Sequence, residues 1–160
     1  MLKLKRLRDK LEENGIPGYR ANQIFHAIYK EGIETFEEMG VLPNYVKEYL
    51  NENEQILSFE KIREVASKDK STIKALFKLN DKNKIEAVLM KFKDGRNTVC
   101  VSSQVGCTLK CKFCATGKLG FKRDLTYEEI CDQVLFFHQK LIKDDERITN
   151  IVFMGMGEPF

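Results

Sequence analysis

Cys107, Cys111 and Cys114 form a C-x3-C-x2-C array inside residues 98–123, TVCVSSQVGCTLKCKFCATGKLGFKR. Three thiols within eight residues converge only where the backbone wraps around a common object. Soft sulfur ligands select soft or borderline metals, iron–sulfur clusters foremost. On a four-iron cube, three protein thiolates leave one iron open, and an open metal position is where substrate chemistry takes place. Zinc and unliganded thiols are the competing readings. Zinc sites close with a fourth Cys or His and more often use two separated C-x2-C pairs. The downstream candidates, Cys131 and His138, fall within a helical pattern. Five cysteines, an odd number, and no secretory leader argue against a disulfide framework. The array points to an open [4Fe-4S] cluster.

Three other places carry groups suited to chemistry. Glu86 lies among the apolar residues of 85–92. A carboxylate there is solvated, paired with a lysine, or set in a cleft, and the pattern alone favours the solvated position. Cys100 is either a buried strand residue or a second reactive thiol. The apolar run 150–154 ends in Gly155-Met-Gly-Glu-Pro159. Glycines at a strand end let the backbone approach a ligand closely, and Glu158 can meet an ammonium group. Alone, that string would be an ordinary strand-end turn. His26 reads as a surface residue and Cys131 as a small core residue.

The elements that must position these groups show in the periodicity. Leu4, Leu7 and Leu11 share one face of a helix over 3–13, which the Asn14–Gly18 break ends. A second helix spans 20–31, and short helical pieces cover 35–39 and 44–52. From residue 56 the pattern turns to strands. Runs 73–79 and 85–92 flank a hairpin turn at 80–83, and Asp94-Gly95 turns the chain into a third strand at 98–101. Residues 99–105 read as a buried strand entering the cysteine loop. Thr126-Tyr-Glu-Glu129 is a capping box, and Ile130, Val134, Phe137 and Leu141 stripe a helix reaching about residue 143. Strand, loop, helix, strand is the opening of a parallel βαβ unit, with functional groups gathered at the strand ends. The cysteine loop and Gly157-Glu158 should therefore meet on one rim.

The 160 residues suffice for one ordinary domain or two small ones. No apolar run approaches the ~20 residues that cross a bilayer. Net charge is only +3, yet residues 61–123 hold sixteen Lys and Arg against five Asp and Glu, leaving the flanks at −8. Such a segment suits a polyanion such as RNA. The lysine-rich turns at 67–71 and 81–84 read equally well as solvated surface.

The cysteine array, with Phe113 before its last Cys, resembles the signature of radical S-adenosylmethionine enzymes. The strings Cys100-Val-Ser-Ser-Gln-Val-Gly-Cys107, Cys114-Ala-Thr-Gly117, Gly120-Phe-Lys-Arg123 and Phe153-Met-Gly-Met-Gly-Glu-Pro159 narrow this. Together they are similar to the RlmN/Cfr family of RNA adenine methyltransferases. The resemblance implies a [4Fe-4S] cluster on Cys107, Cys111 and Cys114, and S-adenosylmethionine bound with help from Phe113, Gly157 and Glu158. It implies Glu86 as proton acceptor, although one extra residue separates Glu86 from Cys100 relative to the family's spacing. Cys100 matches the cysteine that resolves the RNA adduct and forms a disulfide with a methyl-carrying cysteine near the family's carboxyl terminus. Gly18-Tyr-Arg-Ala21 and Gln23 match the RNA-contacting accessory domain.

The implied reaction is radical methyl transfer to C2 of an adenine in 23S rRNA, with tRNA as a further substrate. A flavodoxin or ferredoxin would supply electrons to a cytoplasmic monomer. Pro159 favours this branch over the Cfr branch, which methylates C8. A reading of another class is a non-catalytic module that binds RNA or an iron–sulfur cluster. The expected fold is α/β (α+β overall), in three parts. A helical accessory domain covers 1–55, an antiparallel strand extension 56–97, and the start of a radical-type barrel 98–160. Such a barrel needs roughly 200 residues, so the chain is expected to be an amino-terminal portion, inactive alone without the methyl-carrying cysteine.

Overall fold

The structure is a computed structural model and describes residues 3–160. Residues 1 and 2, at the edge of the expected helical domain, lie outside the described residues. Three helices open the chain: α1 (Leu4–Glu13), α2 (Arg20–Tyr29) and α3 (Asn44–Asn53), with a single 3-10 turn at Phe36–Glu38. Gly15, at φ +71°, closes α1: its N–H donates to the Glu12 carbonyl and the Ile16 N–H to that of Leu11. This Schellman pattern also buries Ile16. Leu7, Leu11, Ile24, Ile28, Val46 and Leu50 meet in one apolar core.

Four antiparallel strands follow: β1 (Phe59–Ala66), β2 (Thr72–Leu79), β3 (Lys84–Lys91) and β4 (Asn97–Cys100). The sequence names the last three; β1 is an addition. Its alternation is blurred by a register shift between Lys61 and Arg63, and charged residues cover much of it. That suits an edge strand, which is protected from further pairing by such features. The expected strand over 99–105 is not continuous. β4 stops at Cys100, and β5 (Gln104–Val105) pairs instead with β6 (Arg123–Asp124) in a separate two-stranded ribbon. Between β5 and β6 lie the cysteine loop and a short helix, α4 (Ala115–Leu119).

Helix α5 (Tyr127–Ile142) then crosses the sheet, and β7 (Asn150–Val152) returns parallel to β4. The sheet order is β1-β2-β3-β4-β7, so β4, α5 and β7 form the anticipated parallel unit in a mixed α/β fold. The capping box forms in full: Thr126 Oγ1 accepts from Glu129 N–H, and Glu129 Oε2 from Thr126 N–H at 2.9 Å. Phe137 and Leu141 pack under Ala75, Phe77, Ile85, Leu89 and Val99, while Leu135 enters the helical core. One helix thus walls both cores.

It does so with polar residues that the apolar stripe did not forecast. Glu129, Asp132, Gln133 and Gln139 are all buried. Gln139 Nε2 donates to the Ile33 carbonyl at 2.7 Å, and Asp132 Oδ2 accepts from Ser58 N–H at 2.8 Å. Gln133 takes the place of a strand. Its Oε1 accepts from Ser102 N–H at 2.8 Å and its Nε2 donates to the Ser102 carbonyl at 3.1 Å. Those two groups lie in the 101–103 break, where no ladder partner is present, and buried backbone groups need partners. Gln133→Leu fills the space but leaves both without one. We expect a loss of about 2–4 kcal/mol in urea-denaturation stability, from roughly 1–3 kcal/mol per unsatisfied buried group.

Candidate metal centre and its rim

The ends of β4 and β7 are stitched together beyond their ladder. Gly155 N–H donates to the Val101 carbonyl at 3.1 Å, and Ser103 N–H to that of Met156 at 2.8 Å. Ser102 Oγ accepts from Met156 N–H at 2.9 Å and donates to the Glu86 carbonyl at 2.6 Å. Gln104 Oε1 accepts from Glu158 N–H at 3.1 Å. Glycine is required at two of these contacts. A Cβ on Gly155 would stand 2.7 Å from the Val101 carbonyl oxygen. Gly157, at φ +107°, would place one 2.7 Å from Gln104 N. The Gly155–Glu158 string is therefore held against the segment that leads into the cysteine loop.

Within that loop Cys107 is buried, while Cys111 and Cys114 are partly exposed. Cys114 N–H donates to the Cys111 carbonyl at 3.1 Å, turning the chain between them. The N–H groups of Gly117 and Thr116 point at Cys114 Sγ and hold its pKa below the ordinary thiol value. This favours the thiolate, the form that binds metal. A side chain at Gly117 would meet the Cys111 backbone near 3.0 Å, so α4 packs closely over the loop. Among the described residues, no three His, Cys, Asp or Glu side chains converge as on a single metal ion. Each thiolate of an iron–sulfur cube takes a different iron, and three thiols on one short loop, one already favoured as thiolate, fit that group. Phe113 is 93% exposed.

Glu86 and Cys100 share a sheet face. Val88 pairs with Cys100 across β3 and β4, and Glu86 lies two residues along β3 on the same side. This is the face opposite α5. Glu86 carries the lysine partner that the sequence allowed: its Oε1 is 3.1 Å from Lys74 Nζ, with 42% of its side chain exposed. Cys100 is buried, which raises its pKa, although Met154 N–H donates to its sulfur. His26 lies on the surface beside Glu31 at 2.9 Å.

Arg123 is the residue whose importance the sequence did not disclose. Its Nη1 and Nη2 each donate to Glu129 at 2.8 Å, and its Nε to Asp81 Oδ2 at 2.7 Å. Asp81 is driven down to about 2, chiefly by that bond, and the two carboxylates push Arg123 upward. Arg123 thereby ties the β2–β3 turn, the exit of the cysteine loop and the cap of α5.

Residues 1–56 match the family model described as ribosomal RNA large subunit methyltransferase N-terminal domain. The ribosomal RNA large subunit methyltransferase Cfr of Staphylococcus aureus is 42% identical over 158 residues, 98% of this chain and 44% of that protein. The probable dual-specificity RNA methyltransferase RlmN of Leptospira biflexa is 45% identical over 156 residues, 97% of this chain and 43% of that protein. The chain is similar over nearly all of its length to part of these RlmN and Cfr methyltransferases. A crystal structure of a radical SAM methyltransferase from Sphaerobacter thermophilus superposes with a TM-score of 0.90 at 43% identity, over 99% of this chain and 46% of that one. The chain thus spans about 44% of the length of the curated relatives it matches. The strings Cys107–Cys114 and Gly155–Glu158 are neighbours on a fold that this radical SAM methyltransferase shares.

The two tuned thiols should differ in reactivity. In metal-free protein at neutral pH, iodoacetamide should label Cys114 at least about tenfold faster than Cys100, because thiolate fraction and access set the rate. Mass-spectrometric mapping of alkylated peptides checks this. The Cys114 rate should level off at a lower pH than that of an ordinary thiol.

Proposed function

We propose that the chain serves a radical S-adenosylmethionine RNA adenine methyltransferase acting at C2 of an adenine in 23S rRNA, with tRNA as a second substrate. The observation that carries this is the stitching of the Gly155–Glu158 string onto the root of the three-thiol loop. Cys107, Cys111 and Cys114 would hold a [4Fe-4S] cluster. With S-adenosylmethionine bound, that cluster supplies one-electron cleavage of a sulfonium, chemistry no side chain provides. The protein's part is ligation, orientation and proton handling. Gly155 and Gly157 bring bare backbone to the rim, and the Glu158 carboxylate is available to an ammonium group. Phe113, exposed on the loop, is free to close over a ligand. Glu86 Oε1, on the face opposite α5, takes the proton released from the adenine ring. Lys74 Nζ, 3.1 Å away, is its ion-pair partner. Cys100 Sγ, on the same face, resolves the adduct and pairs with the methyl-carrying cysteine of the complete protein.

The division into a helical unit over 1–55, a strand extension over 56–97 and a catalytic portion from 98 accompanies this reading. The helical unit, with Arg20 and Gln23 joined at 2.7 Å on α2, would contact RNA. A flavodoxin or ferredoxin would reduce the cluster in the cytoplasm, and no described helix is long and apolar enough to cross a membrane. Methylation at C8 is the second reading. Its warrant is that a Cfr sequence and RlmN sequences match at 42% and 43–45% identity, so overall likeness does not choose between branches.

Nucleoside mass spectrometry on RNA treated with the reconstituted complete protein should reveal 2-methyladenosine. A methyl at C8 would transfer the protein to the Cfr branch. Glu86→Gln should cut the rate by about 10²–10⁴-fold, the usual contribution of a positioned base, with the cluster chromophore intact. Reconstitution that yields zinc and no brown colour would refute the assignment. Full RNA binding without methylation by the parent would leave only a binding module.

A further inference from the structure

Four lysines of the sheet and α5 are ion-paired: Lys74 with Glu86, Lys78 with Glu60, Lys91 with Glu146 and Lys140 with Glu64. The lysines around the cysteine loop are not. Residues 101–123 contain no Asp or Glu. Among the described residues, Lys110, Lys112, Lys118 and Lys122 have no carboxylate within ion-pair distance, and neither do Lys82 and Lys84 of the β2–β3 hairpin. The fold brings that hairpin to the loop. Lys122 Nζ donates to Asn83 Oδ1 at 2.9 Å, and Arg123 grips Asp81. Between them lies a pocket of about 380 Å³. Lys82, Lys84 and Lys122 line its walls, Val105 and Met156 its apolar side, and Gly106 and Gly120 contribute bare backbone.

We propose that this pocket, with the lysines continuing from it along the cysteine loop, is a seat for one nucleotide and the flanking phosphates of the RNA. The inference rests on the RNA-modifying reading above and assigns the contact to residues. Three ammonium groups suit phosphate and oppose a sulfonium cation, so the pocket is not set up for the methyl donor. An apolar side with bare backbone suits a ribose or base, as in grooves that track a single strand. An acidic protein would find the same charge, but a concave pocket of about 380 Å³ offers a flat surface nothing to enter. The hairpin turn that reads as solvated surface in the sequence is thereby placed at the substrate's edge.

The test uses the complete protein, a fluorescein-labelled stem-loop of 23S rRNA and salt titration. K82A/K84A/K122Q should lower the slope of log K against log[salt] by about two units, at roughly 0.7 per single-strand phosphate contact. Extrapolated from 1 M, where such contacts vanish, that is about a 100-fold loss at 0.1 M salt. K82R/K84R/K122R should retain the parental slope, separating charge from misfolding. The matched control is K68A/K70A/K93A, which removes three lysines from the turns at the other end of the strands. It should change affinity by less than about threefold.

Equal losses from the first and last variants would overturn the proposal in favour of bulk charge. Intact RNA affinity with impaired reduction by flavodoxin would overturn it in favour of an acidic protein partner. If the parent itself bound no RNA, the functional reading would fall as well, and that result is distinct from either.

Discussion

A backbone break inside a buried segment is the constraint on which the site depends. Every residue from Asn97 to Cys107 is buried, yet only part of that run belongs to a ladder. The chain has to leave the main sheet after Cys100 so that the thiols can project beyond it. Each peptide group released by that departure must find another partner or cost about as much as a lost hydrogen bond. Gln133 supplies two partners from α5, and the 154–158 string supplies most of the others. The loop root is consequently rigid because its polar groups are satisfied from two directions. Neither direction is local in sequence.

The same accounting separates the two kinds of cysteine. Cys114 is reached by amide N–H groups at a tight turn, which lowers its pKa, whereas burial dominates at Cys100 and raises it. Desolvation and hydrogen bonding to the anion act with opposite sign on any acid. One chain can therefore hold a thiol ready for a metal and another protonated, with only a few residues between them. Arg123 stabilises the frame in which this contrast exists. Its two carboxylate partners belong to the β2–β3 turn and to the first turn of α5, so the loop exit cannot shift without breaking an ion pair.

Much of this was legible in the sequence. The capping box at Thr126 and the hairpin at 80–83 are local patterns whose meaning is set by neighbouring residues. The meeting of the two strand ends followed from the geometry of a parallel βαβ unit. Two kinds of feature were not legible. β1 was hidden because a register shift and an exposed, charged face erase the alternation that marks a strand. Gln133, Gln139 and Glu129 look like the solvated side of an amphipathic helix. They are buried because α5 has a core on each side, a fact of tertiary packing that no helical period contains. The continuous strand expected over 99–105 failed for a related reason: seven apolar and small polar residues satisfy both a strand and a buried bend.

Charge is the last element that sequence alone renders badly. A net +11 over 61–123 says nothing about which charges are neutralised, and the ion pairs show Lys74, Lys78 and Lys91 neutralised on the sheet and Arg123 at the loop exit. Among the charges left is a set of lysines around the three thiols, in a stretch, 101–123, with no carboxylate of its own. Placing a sulfonium there would be unfavourable unless negative charge accompanied it. On the proposed reading, cluster-bound thiolates would supply that charge at the centre, and Glu158 would supply it at the neighbouring strand end. The lysines farther out, on the hairpin and at Lys122, would leave their positive field for the proposed polyanion. Short-range neutralisation at the centre and an unneutralised surround can coexist because such interactions decay over ~10 Å in physiological salt. On that reading a cationic methyl donor and an anionic substrate would occupy adjacent parts of one rim.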